Sequence, residues 1–165
     1  MAYLLDADVF IRAKNLHYGF DFCPAFWKWL IVQNAAQCVY SVEKVGNEVE
    51  AVEDDLSEWA KERGKAFFLP PDDSLLPSLS TVSNWASTGG RYEAGAISSF
   101  LQVADYYLVA AAHAGSHTVV THEVPSASKR KIKIPDACIG LGVKCMTPFE
   151  MLRHERARFI LGPQP

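Results

Sequence analysis

Residues 2–12 read AYLLDADVFIR, and the fold follows from how that run is parsed. Ala2 to Leu5 form an apolar run too short for a helix and suited to a buried strand. It ends at Asp6-Ala7-Asp8, after which Val9, Phe10, Ile11 and Arg12 start a helix. Helix capping is enough to explain Asp8. Two acids around one turn exceed what a cap requires, so Asp6 stands at the mouth of a sheet as a candidate for chemistry.

The alternation continues downstream. Pro24 opens an aromatic-rich helix through about Ala36, and Cys38 to Tyr40 form a short strand with Ser41 placed to cap the next helix. Val42, Val45, Val49 and Val52 then share one helical face. A second amphipathic helix runs from Asp54 or Asp55 to Arg63 and stops at Gly64, and Ala66 to Leu69 read as a strand. Pro70, Pro71 and Pro77, with Ser74, Ser78, Ser80 and Ser83, mark 70–90 as a loop leading into a short helix around Trp85. Helix returns from Tyr92, breaks near Gln102, and resumes from Ala104 to Ala114 until Gly115 ends it. His117 to Thr121 is a strand, Lys131 to Ile134 an edge strand, Val143 to Met146 a further strand, and Pro148 to about Leu161 the closing helix. Strands alternating with helices predict the α/β class: a three-layer α/β/α sandwich with a mostly parallel central sheet, in one domain over 1–165. In such sheets sites form at the carboxyl ends of the strands.

Composition bounds the function classes. A chain of 165 residues that is 49% hydrophobic and 21% charged can bury a full core, which excludes disorder. No apolar run approaches the roughly 20 residues of a membrane span, and MAYLLDADVF lacks a basic signal-peptide start, so no membrane partner and a cytoplasmic location are expected. Cys23, Cys38, Cys138 and Cys145 form no CxxC pair and read as reduced, mostly buried thiols. The net charge of −3 supplies no general basic field, so a polyanion must be held locally. Lys129, Arg130, Lys131 and Lys133 are one local cluster, and Arg153, Arg156 and Arg158 another; a solvated loop and the wet face of a terminal helix explain them without function.

Further acids recur at matching places. About the valine stripe, Glu48 lies roughly 80° from the centre, whereas Glu43 and Glu50 lie about 120–140° away, so Glu48 is the glutamate at the core boundary. Asp105 stands in the first turn of the most apolar helix, where the helix dipole alone would favour it. Glu123 follows the strand HTVVTHE just past Thr121 and His122. Clustered carboxylates repel one another unless a cation sits between them, and an oxygen-only donor set suits magnesium or manganese rather than zinc. Such ions activate water against phosphodiesters. His122 without an HxxxH partner is a weak ligand candidate, and Trp27, Trp29, Trp59 and Trp85 read as core rather than base-stacking groups. Walker A, GxGxxG and GxSxG are absent, which removes the support for nucleotide hydrolysis and acyl transfer.

The successive segments LLDADVFI, YSVEKVGNEVE, ADYYLVAAAH and TVVTHE resemble, in order and spacing, the motifs of the PIN-domain ribonuclease superfamily. The resemblance covers essentially 1–155. It is nearest to a bacterial PIN-like subfamily of unknown function similar to the VapC toxins of toxin–antitoxin pairs, whose final strand and helix IPDACIGLGVKCMTPFEML matches. It implies a Rossmann-like fold and a magnesium- or manganese-dependent endoribonuclease. Asp6, Asp105 and Glu123 would be metal ligands, Glu48 a ligand or orienter of the attacking water, and Thr121 and Asp8 supports. The fourth acid is a glutamate where the family has aspartate, and the 70–100 segment is longer than in a minimal PIN toxin. Lys129, Arg130 and Lys131 are then the local phosphate contacts for RNA. An antitoxin protein and a homodimer are partners implied by the same analogy. The competing reading is a catalytically weak or inactive PIN-like module that binds a partner.

Overall fold

A computed structural model describes residues 1–163; Gln164 and Pro165, the end of the predicted domain, lie outside the described residues. Five strands form one all-parallel sheet: β1 (Tyr3–Leu5), β2 (Val39–Val42), β3 (Phe68–Leu69), β4 (Thr118–Val120) and β5 (Lys144–Met146), in the order β3-β2-β1-β4-β5. Among the described residues nine α-helices flank it, giving the three-layer α/β/α sandwich. They are α1 (Ala7–Arg12), α2 (Pro24–Ala35), α3 (Glu43–Glu50), α4 (Asp55–Arg63), α5 (Leu76–Ser87), α6 (Ala94–Leu101), α7 (Ala104–Gly115), α8 (Ile134–Leu141) and α9 (Pro148–His154). None is long and apolar enough to cross a membrane.

β1 sits at the centre, buried on both faces, which is why its apolar run does not alternate. Phe10 projects from α1 into an aromatic cluster with Trp59, Phe67 and Phe68, ring centroids 5.9, 6.0 and 5.7 Å away. α3 lies so close to β3 that a Cβ at Gly46 would stand 2.9 Å from the Phe68 ring, so only glycine fits there.

Several sequence expectations are corrected. Ser41 does not cap α3; it lies in β2 and its hydroxyl donates to the Leu5 carbonyl at 2.5 Å, bracing the two strands. Val52 is exposed, because α3 ends before it. The helix around Trp85 starts far earlier, at Leu76: Pro77 occupies the first turn, where a missing N–H costs nothing. Lys131 to Ile134 is no strand. Ile132 and Ile134 plug the core from an irregular segment, and Ile134 begins α8, unforeseen in sequence, with Pro135 in its first turn and Gly142 at φ +70° ending it. α9 stops at His154 rather than near Leu161. Of the free cysteines only Cys138 is fully buried; Cys23, Cys38 and Cys145 are half-buried.

Candidate active site

The strand order reverses direction at β1: β2 and β3 lie on one side, β4 and β5 on the other. The crevice outside the carboxyl ends of β1 and β4 is therefore where an open α/β sheet offers a ligand room. Asp6 directly follows β1 and Thr121 directly follows β4. Asp6, not Asp8, caps α1, with Oδ1 accepting the Ala7 N–H at 2.7 Å. Its other oxygen accepts the Thr121 hydroxyl at 2.8 Å. Asp8, two residues on, accepts the His122 backbone N–H at 3.1 Å, and Thr121 Oγ1 in turn accepts the Glu123 N–H at 3.1 Å. One threonine thus ties both strand ends and three of the acids together.

Asp105 enters from the first turn of α7, and Glu48 from α3. Asp6, Asp8, Glu48, Asp105 and Glu123 all line a single cavity of about 530 Å³. Arg130 and Lys131 line it too, whereas Lys129 does not; its carbonyl instead accepts the Glu93 N–H at 2.9 Å. Arg130 is also 3.9 Å from the Glu93 carboxylate. Glu48 is more open to solvent than its place beside the valine stripe suggested, and Glu43 and Glu50 are the half-buried glutamates; Glu48 nonetheless is the one facing this cavity. Arg12 was missed in sequence. It lies four residues after Asp8 on α1, a spacing that puts both on one helix face, and it lines the same cavity. α6 supplies Ala96, Ser99 and Phe100 to the opposite wall, so the long 70–100 segment does border the site.

Residues 3–159 match the family model described as a domain of unknown function, DUF4411. The chain belongs to the DUF4411 family. No curated protein and no solved structure matches it. The family description carries no activity, so the chemistry of this DUF4411 site is read from its own residues.

Electrostatics set that chemistry. Asp6 is held well above the ordinary carboxylate range, first by burial and then by the negative charges of Asp8, Asp105 and Glu123, with the Thr121 hydrogen bond partly opposing them. Asp105 is pushed up to about 6 by burial and by Glu123 and Glu48, against the pull of Lys131. Burial and Asp8 raise Glu48. Five carboxylates facing three cations leave the DUF4411 cavity with uncompensated negative charge. Oxygen donors in excess negative charge fit a hard divalent cation. The acids surround the cavity without converging on one point: among the described residues no three such side chains stand close enough to hold one ion. Glu123 is also engaged, its Oε2 accepting the Ile134 N–H at the start of α8 at 2.8 Å.

The raised Asp105 predicts a pH effect. A carboxyl with a higher pKa folded than unfolded keeps its proton in the native state through the window from 3.8 to about 6, so stability falls as pH rises through that window and stays at the lower level above it. His117 and His122, lowered by burial, act in the opposite sense as pH rises towards 6.5. The difference between Asp105→Asn and the parent chain isolates the carboxyl. In chelator, the variant's advantage in unfolding free energy is expected to grow between about pH 4 and about pH 6 and to level off above that, reaching about 1–3 kcal/mol. A difference independent of pH would rule this out.

Proposed function

We propose that this chain is a metal-dependent endoribonuclease that hydrolyses RNA phosphodiester bonds, in the manner of the PIN-domain ribonucleases its motifs resemble, and serves as the toxin of a toxin–antitoxin pair. The observation supporting it is the shared cavity: acids from the end of β1, from α3, from α7 and from the turn after β4 line it together, and burial and mutual repulsion raise Asp6, Asp105 and Glu48 there. Asp6, Asp105 and Glu123 would hold magnesium or manganese directly or through water, as their spread around the cavity requires, and Glu48, the most solvent-open of the set, would be a ligand or would orient the attacking water. Thr121 fixes Asp6 and Asp8 through its hydroxyl. Arg130 and Lys131, which line the cavity, would meet the phosphate backbone. The chemistry a bound ion supplies at such a site is polarisation of the phosphodiester, a lower pKa for water and charge stabilisation on the leaving oxygen.

The test is direct. Purified protein titrated with manganese in a calorimeter is expected to release or absorb binding heat, and to cut RNA only when the ion is present. Growth arrest on expression, with relief by a small antitoxin protein, is the outcome expected of the toxin role; a gel-filtration mass of two chains is expected of the homodimer. The second reading, a partner-binding module without catalysis, draws on the tie between Glu123 and Ile134 and on the dispersed acids. No manganese heat, and no cleavage of RNA or single-stranded DNA, is the result that selects it.

A further inference from the structure

Outside the lip of the cavity lies a group of rings that the carboxylate chemistry does not use. α1 runs on into a π-helical turn, Ala13–His17, a rare geometry that recurs at functional sites. This turn sets His17 against His122, with ring centroids 5.5 Å apart and planes 26° from parallel. Phe149 meets both edge-on, at 5.1 and 5.5 Å. All three are half-buried rather than sealed in the core. The other well-placed histidines are tied to the protein: His117 Nδ1 accepts the Ala2 N–H at 3.0 Å and His113 Nδ1 pairs with the Ser78 hydroxyl at 2.8 Å. By contrast, among the described residues no hydrogen bond reaches a ring nitrogen of His17 or His122.

The shelf is coupled to the cavity. The His122 backbone N–H binds the Asp8 carboxylate, so ring and acid share one anchor. Arg12 lines the cavity, its positive charge disfavours protonation of His122, and among the described residues it forms no ion pair with a carboxylate. A stacked pair of half-buried, polar-edged rings beside an unpaired guanidinium and a carboxylate-lined cleft matches one repeating chemistry: a base continuing the stack, then a phosphate, then the bond to be cut. Imidazole is among the rings on which unpaired bases stack, and guanidinium is the natural partner of phosphate.

We infer that His17 and His122, edged by Phe149, form the shelf on which a nucleobase next to the scissile phosphate stacks, with Arg12 holding the phosphate between shelf and cleft. The inference rests on the endoribonuclease reading and adds the requirement that the substrate be unpaired at that base.

Binding is measured by fluorescence anisotropy of a short labelled oligouridylate in chelator, and cleavage is measured after adding manganese. The paired substitutions His17→Ala and His122→Ala are expected to weaken binding about tenfold or more, as the loss of a stacked base does. His17→Phe with His122→Phe, which keeps the ring faces, is expected to bind as the parent does. An oligonucleotide abasic at the position flanking the cut is expected to lose the same factor with the parent chain and to lose nothing further with the alanine pair. If the parent cuts RNA and the alanine pair binds and cuts equally well, the shelf is overturned while the nuclease stands. A phenylalanine pair as weak as the alanine pair overturns stacking. An abasic oligonucleotide bound by the parent as tightly as the intact one also overturns it, even where the alanine pair does not fold. A parent chain that neither binds nor cuts removes the nuclease reading and the shelf together.

Discussion

In Asp6→Asn and Asp105→Asn proteins, manganese- or magnesium-dependent RNA cleavage is expected to fall on the order of a hundredfold or more, the scale set by removing one pre-organised electrostatic group from a reacting centre. The fold is expected to survive both changes. At position 6 an amide oxygen can still accept the Ala7 N–H, and its NH2 can donate to Thr121 Oγ1. The threonine hydroxyl can then turn to Asp8, whose Oδ2 is 3.2 Å away. At position 105 the amide removes a carboxylate that Glu123 and Glu48 push against. Both variants should therefore match or exceed the parent's thermal stability in chelator, and the parent alone should gain stability when manganese is added. Cleavage at parental rates by either purified variant would end the assignment of these acids. Lost cleavage accompanied by lost folding would say that they serve only the scaffold.

The second large effect is on stability. Phe10→Ala is expected to cost about 3–5 kcal/mol, the range for a large aromatic removed from a well-packed core. Phe10 is fully buried and touches three rings that belong to α4 and to the segment around β3. A cavity at that point cannot collapse easily, because the neighbours are themselves rigid rings packed on one another. Against a total of about 5–15 kcal/mol for a domain, that loss is a large share. Denaturant unfolding that shows a change below about 1 kcal/mol would mean that the cluster rearranges to fill the void. Since α1 carries Phe10 on its buried side and Asp8 and Arg12 beside the cavity, substrate binding should weaken with it.

The parts of the fold legible in the sequence were those with one signal each way. The apolar run of β1, the acid at its end and the helix after it needed no other part of the chain to be interpreted. The gathering of Asp6, Glu48, Asp105 and Glu123 about one cavity was likewise expected, because each follows a strand or starts or edges a helix that an α/β sheet must bring to one end. What stayed illegible depended on tertiary context. Pro77 and Pro135 look like breaks until it is known that each opens a helix. The alternation Lys131-Ile132-Lys133-Ile134 imitates a strand, yet Ile132 is buried without strand pairing and Ile134 is the first residue of α8. Ser41 reads as a cap because serine favours caps, and only the neighbouring Leu5 carbonyl shows why it sits in a strand. His17 and His122 are far apart in sequence, and nothing in either neighbourhood announces that a π-helical turn will stack them.

The central position of β1 has a consequence for biosynthesis. Tyr3–Leu5 leave the ribosome long before one of their two neighbours, Thr118–Val120, has been made. Asp6 meets Thr121 on the same schedule, and Ile134, which secures Glu123, emerges later still. A nascent chain thus carries its first acids without the geometry that joins them, so whatever the crevice does begins only once the start of α8 has been made.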